Sequence, residues 1–198
     1  MKYKLLSRSR RSKKGFSLLE LLLVMGVIAA LIASAFIAYP KVRDARYLDI
    51  EAKHIGQIIA SVKSTYVGQY SYSGLATTVV AIPAQFFPED MLKKNITWGV
   101  SSWGGYVVVD SNNVSPSGTS NASFTITYSD VPANICAKLI ASVNNSFYNI
   151  YIYNAKGVNG NKNAGTLVKK NGEDLDLPLT SSVCFAGNMN NQVSFLSL

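Results

Sequence analysis

The chain has 198 residues, of which 48% are hydrophobic and only 15% charged. Against roughly 25% charged in an ordinary soluble domain, this excludes a disordered chain and leaves room for one globular domain plus an accessory element. The formal charge of +8 does not describe a basic domain, because seven of the 19 basic residues (Lys2, Lys4, Arg8, Arg10, Arg11, Lys13 and Lys14) lie in the first 14 positions. From position 15 onward twelve basic residues face eleven acidic ones, a net of +1, so direct nucleic-acid binding loses its support.

After the basic run comes Gly15, and then Phe16 to Tyr39, 24 residues whose only charge is Glu20. At about 1.5 Å per helical residue such a stretch crosses a hydrocarbon core of roughly 30 Å. The basic flank stays cytoplasmic by the positive-inside rule, which puts everything after Tyr39 on the far side. A cleavable secretory signal is the rival reading, with Ala33-Ser34-Ala35 as a small-residue site. Its apolar core would run about 7 to 15 residues, shorter than the one present and without an acid. A carboxylate five residues into a spanning segment is costly, so Glu20 is either paired with a cation or solvated at headgroup depth.

These residues carry a resemblance. The basic leader, Gly15, Phe16 and Glu20 in KKGFSLLELLLVMGVIAALIA resemble the processing and assembly segment of type IV prepilins. The resemblance implies a leader peptide over 1–15, cleavage between Gly15 and Phe16 by a prepilin peptidase, and N-methylation of Phe16. It also implies that Glu20, fifth residue of the mature chain, aids assembly by neutralising the N-terminal amine of a neighbouring subunit. WGGYVVVD, ITYSDVPANICAKL and a C-terminal cysteine pair resemble the type IVb major pilins of the PilS type, those of conjugative thin pili and related enterobacterial pili. The 15-residue leader and Phe16 follow the type IVa pattern instead.

Beyond Tyr39 the pattern becomes amphipathic. Val42, Ala45, Leu48, Ala52, Ile55, Ile59, Val62 and Tyr66 recur at spacings of three and four, while Lys41, Arg43, Asp44, Arg46, Asp49, Glu51, Lys53 and Lys63 take other faces,. One helix over about 16–66 is predicted, roughly 77 Å long. Pro40 should kink or loosen it near the membrane boundary; in the pilins it resembles, a proline in this region marks a segment that can unwind in the filament. Residues 16–39 form the transmembrane and filament-core half, 40–67 the amphipathic half, and 68–198 the periplasmic or extracellular head.

Within the head, PEDML after Phe87 reads as a helical turn with Pro88 at its first position. Trp98, Trp103 and Tyr106 suit either core and subunit contacts or a sugar-stacking patch. GYVVVD ending at Asp110 and SFTITYS at 123–129 read as paired strands. Asp130 is positioned to cap a helix with Pro132 in its first turn and Ile135, Leu139, Ile140 and Val143 on its apolar face. FYNIYIY at 147–153 and TLVKK read as strands, GVNGNKNAG as a loop, NGEDLDLP as a turn region, and QVSFLS as a closing strand. The fold class is α+β: the type IV pilin fold, a long N-terminal helix packed on an antiparallel sheet.

Cys136 and Cys184 are the only cysteines. In an oxidising periplasm they are expected to pair, closing the C-terminal region as in type IV pilins and tying the helix after Pro132 to the strand region near Phe185; two buried free thiols are the alternative. Glu173, Asp174 and Asp176 form either a solvated turn or a calcium loop. His54 is the single histidine and a surface position on the helix is its default reading, so no multi-histidine metal centre can be built. With no phosphate loop and no nucleophile elbow, neither enzyme activity nor a cofactor is expected.

The implied function is a structural pilus subunit for adhesion, aggregation or conjugative contact. Its expected partners are other pilin subunits as a homopolymer, the prepilin peptidase/methyltransferase, the inner-membrane assembly platform, and inner-membrane lipid before assembly. A type II secretion pseudopilin, a minor pilin and a membrane-tethered binding module that never polymerises are the alternatives.

Overall fold

The computed structural model describes residues 17–157, 162–187 and 191–198. These fall into two units divided after Arg43. Helix α1 (Leu18–Thr65) runs 48 residues with Pro40 inside it. Its bounds match the predicted helix to within two residues at either end, the first of which (16) lies outside the described residues.

Among the described residues from Asp44 onward, six strands form one antiparallel sheet: β1 (Gly99–Val100), β2 (Tyr106–Asn112), β3 (Ser123–Val131), β4 (Asn149–Asn154), β5 (Thr166–Lys169) and β6 (Asn191–Ser197). Their order is β1-β2-β3-β6-β4-β5. The last strand therefore inserts between β3 and β4 at the centre of the sheet, where both its edges are paired and all seven residues are buried.

Register explains the core. Val107 lies opposite Tyr128 and Val109 opposite Ile126; Ile126 and Tyr128 face Phe195 and Val193; those in turn face Ile150 and Ile152. Because side chains alternate between faces with period two, this register puts one contiguous apolar layer on one face. Ile55, Ile58 and Val62 of α1 belong to the same hydrophobic cluster. Thr127 and Ser194, opposite each other on the other face, bring their hydroxyls within 3.2 Å. The described ends of the β4–β5 connection reach across that side: Gly157 donates its N–H to Asp130 Oδ1 at 3.1 Å, and Lys162 Nζ donates to the Ser111 carbonyl at 2.9 Å.

Two further helices, α2 (Ala133–Val143) and α3 (Leu177–Ala186), pack against each other. Several expectations are corrected here. Asp130 does not cap α2, because β3 pairs with β6 as far as Val131 and only Pro132 separates strand from helix. Asp130 instead sits at a φ of 53°, where the β3–β6 register shifts, and accepts from Gly157; Asp and Asn tolerate this left-handed region better than most residues. The segment around Phe185 is helix, not strand. The turn in PEDML is a 3-10 turn over Glu89–Met91, with Pro88 just before it rather than inside it.

Candidate functional site

The first unit offers a surface rather than a pocket. Every residue from Ser17 to Arg43 is exposed, including Leu22, Ile28 and Ile32. An 18-residue window of α1 has a mean hydropathy of 2.8 with none of it buried, so length and composition suffice for a membrane span,. A helix that is apolar all round matches lipid or a surrounding of similar helices, not a single covering face. The polar side chains inside it are few. Ser34 returns its hydroxyl to the Leu31 carbonyl at 2.8 Å, the local pairing that makes a hydroxyl tolerable in apolar surroundings. Glu20 is exposed in the first turn of α1, where the helix dipole favours a negative charge,. Pro40 lacks the N–H that would bond four residues back. The expected cleavage and methylation positions, Gly15 and Phe16, lie outside the described residues.

In the second unit the cysteines are joined. Cys136 on α2 and Cys184 on α3 form a disulfide with a Cα–Cα separation of 5.8 Å and a sequence separation of 48. The bridge ties helix to helix, which corrects the expected helix-to-strand link. Asn191, at the start of β6, completes the junction. Its buried amide donates to the carbonyls of Val131 at 3.2 Å and Cys184 at 2.9 Å, joining β3, α3 and β6. Gly187 leaves the room for this, since a Cβ there would stand 2.0 Å from Asn191 Oδ1.

A buried polar cluster lies where α1 meets the head, and sequence reasoning missed it. Glu51, assigned to the polar side of the helix, is fully buried, and His54, expected at the surface, is 7% exposed. The buried face of α1 is Glu51, His54, Ile55, Ile58 and Val62, so the apolar pattern continues toward the N-terminus through two ionisable residues, whereas Val42 and Ala45 of the predicted stripe are exposed. Glu51 Oε1 accepts from the backbone N–H of Ser102 at 2.6 Å and from its hydroxyl at 2.7 Å. Glu51 Oε2 lies 3.4 Å from His54 Nδ1, and His54 Nε2 lies 3.1 Å from Asp90 Oδ2 in the 3-10 turn. Burial first, and the Glu51 charge second, push the Tyr128 phenol well above its ordinary pKa. Spacing held the signal: 51, 54, 55, 58 and 62 share one helical face.

The aromatic residues weighed as a sugar patch are partly spoken for. Trp103 donates its indole N–H to the Ser129 carbonyl at 3.1 Å and packs on Tyr128. Trp98 stacks edge-on against Tyr106, both partly exposed. Of the three acids near the C-terminus, Asp176 caps α3, its Oδ1 accepting from Leu179 N–H at 2.9 Å. Glu173 and Asp174 are exposed, and no group of three potential ligands converges among the described residues.

Known proteins agree with this architecture. The family described as PilS N terminal matches residues 46–198, and the prokaryotic N-terminal methylation motif matches residues 10–36. The major structural subunits of the bundle-forming pilus from Escherichia coli O127:H6 and from E. coli O111:H- are each 27% identical over 118 residues, covering 58% of this chain and 56% of theirs. The match thus spans a little over half the length of those relatives. Among solved structures, the type IV pilin TcpA of Vibrio cholerae El Tor superposes with a TM-score of 0.56 at 16% identity, over 77% of this chain and 99% of that one. The type IVb pilin of Salmonella typhi gives 0.53 at 20% identity, over 74% and 97%. At these identities the two structures speak for the fold alone, and the fold is that of the type IV pilins.

Proposed function

The chain belongs to the PilS family, and from that premise we propose that it is the structural subunit of a type IVb-like pilus, made as a membrane-anchored precursor and polymerised into a surface filament. The single observation that carries the reading is the exposed apolar run from Leu18 to Phe36 beginning with Glu20 in its first turn, joined to a methylation motif over residues 10–36. Cleavage after Gly15 removes all seven leader charges and leaves an α-amine on Phe16, four positions before a carboxylate. The same apolar surface then serves twice: it lies in lipid before assembly, and it packs on copies of itself afterward.

Moving from lipid to a helical core is nearly neutral in apolar burial, so packing and polar contacts must fix the register. An amine and a carboxylate buried separately are each costly, whereas a charge-assisted contact between neighbours satisfies both. Within one helix the amine points back along the axis, so the partner of Glu20 is the Phe16 amine of another subunit. Contacts of this head-to-tail kind give an open helical polymer rather than a closed ring. In this role the chain has no catalytic task; it is itself the substrate of a prepilin peptidase and methyltransferase.

Glu20→Ala tests the reading. The variant should insert, be cut after Gly15, gain one methyl group on Phe16 by intact mass, and fold its head, while the ratio of sheared filament to membrane-held subunit falls at least tenfold. Glu20→Gln, which keeps the shape and loses the charge, should also be impaired. Correctly processed Glu20→Ala protein that polymerises as well as the wild type would overturn the assignment.

A further inference from the structure

The geometry of the Glu51–His54–Asp90 cluster specifies a charge state. Both ring nitrogens of His54 face a carboxylate oxygen, Nδ1 toward Glu51 at 3.4 Å and Nε2 toward Asp90 at 3.1 Å. A neutral imidazole carries one N–H and one lone pair, so it leaves one of its nitrogens set against an oxygen with no proton between them. Only the imidazolium has a donor for each. Glu51 Oε2 and His54 Nδ1 are both shielded from solvent and lie outside ordinary hydrogen-bond geometry, so the charge attraction between them is weakly screened and its loss leaves a buried carboxylate poorly matched.

We propose that Glu51, His54 and Asp90 form a proton-operated latch that clamps α1 to the 3-10 turn at Glu89–Met91, closed when His54 is protonated in mild acid and loosened when it is neutral. The titratable groups facing His54 are Glu51 from its own helix and Asp90 from the turn; Tyr128 of β3 faces Glu51 in turn. On the outer side of the helix Asp49 and Lys53 pair with each other at 2.7 Å, both largely exposed. Contact with Glu51 raises the His54 pKa, burial opposes the rise, and the charges of Glu51 and Asp90 add to it, leaving the value above that of an ordinary histidine. A histidine whose folded pKa exceeds its unfolded value of about 6.5 stabilises fully below that value, and the contribution is lost as pH rises through the folded pKa. The contribution of this cluster is therefore largest on the acid side of neutrality. The inference concerns the head alone and does not depend on whether the chain polymerises.

Because His54 is the single histidine of the chain, its imidazole signal in the magnetic resonance spectrum of the untagged full-length protein in detergent reports the latch directly. The wild-type signal should titrate above the ordinary histidine value. Asp90→Asn, a change at an exposed side chain that spares the core, should move the midpoint downward. The melting temperature of the wild type should fall between about pH 5.5 and pH 8, and His54→Gln should flatten that fall. A wild-type midpoint at or below the ordinary value, or one that Asp90→Asn leaves in place, would overturn the latch. An equal fall in melting temperature for His54→Gln would do so too; if His54→Gln does not fold, the Asp90→Asn titration decides alone.

Discussion

Ile28 and Ile58 lie on the same helix with the same side chain, yet Ile28 is 45% exposed and Ile58 fully buried. The difference lies in the surrounding pattern, not in the residue. From Leu18 to Phe36 apolar residues occupy every face of α1, so no single layer of protein can cover them. From Glu51 to Val62 the buried residues fall on one face, and the sheet supplies one matching apolar layer,. The first arrangement calls for a solvent, lipid or many like helices, and the second calls for a partner.

The sharpest way to break this comparison is to truncate one apolar side chain in the sheet layer that α1 packs on and one in the exposed run of α1. Phe195 sits on the central strand with ring contacts to Tyr128 and Phe147. Phe195→Ala should lower the unfolding free energy of the head by about 3–5 kcal/mol, through lost burial and the cavity left behind. Ile28→Ala, read in the same urea titration of the full chain in detergent, should leave the head within about 0.5 kcal/mol of wild type. Similar losses in the two variants would mean that residues before Asp44 take part in the cooperative unit of the head.

Much of this division was legible in the sequence because it rests on periodicity. The switch from an all-apolar run to a spacing of three and four marks the two regimes of α1, and the valine run of YVVVD with the alternation in SFTITYS and QVSFLS marks three strands that carry the core. Sheet order was not legible, since nothing local says that the strand ending at Ser197 enters between β3 and β4. Charge suggests exposure for Glu51 and His54, but their helical phase with Ile55, Ile58 and Val62 places them inward,. NGEDLDLP has the composition of a turn, which masks the start of α3, although Asp176 followed by Pro178 is also a helix start,. Asn191 gave no sequence signal at all: its two carbonyl partners come from segments 60 and 7 residues away.

The disulfide sharpens the comparison within the head. It ties α2 to α3, which also pack on each other; Ile135 and Leu139 of α2 belong to the core cluster, and Leu179 and Val183 of α3 are partly buried against it. Replacing both cysteines by serine should cost about 2–4 kcal/mol, chiefly by releasing the closed loop in the unfolded chain. Membrane insertion should be unchanged, because the bridge lies in the second unit. Urea titration in detergent and the membrane-bound fraction of the same preparation check the two halves of this expectation. A loss below about 0.5 kcal/mol would mean that the packing of α2 on α3 suffices without covalent closure.

The smallest effect discriminates between two readings of one acid. Asp176 accepts the Leu179 N–H through its side chain, while its backbone carbonyl separately accepts from Thr180 N–H at 2.9 Å and Thr180 Oγ1 at 2.6 Å. Asp176→Ala deletes the first contact and leaves the others, so it should cost about 0.5–2 kcal/mol, the ordinary worth of an N-cap, and Asp176→Ser should restore most of it. If Glu173, Asp174 and Asp176 instead held calcium, the wild type would lose stability on adding a chelator, and Asp176→Ser would be as damaging as Asp176→Ala, because a serine hydroxyl replaces a cap but not a carboxylate ligand. With the carboxylate of Asp176 turned to Leu179 N–H, the expected result is a urea midpoint that is the same with and without chelator, an alanine variant that is weakened equally in both, and a serine variant close to wild type.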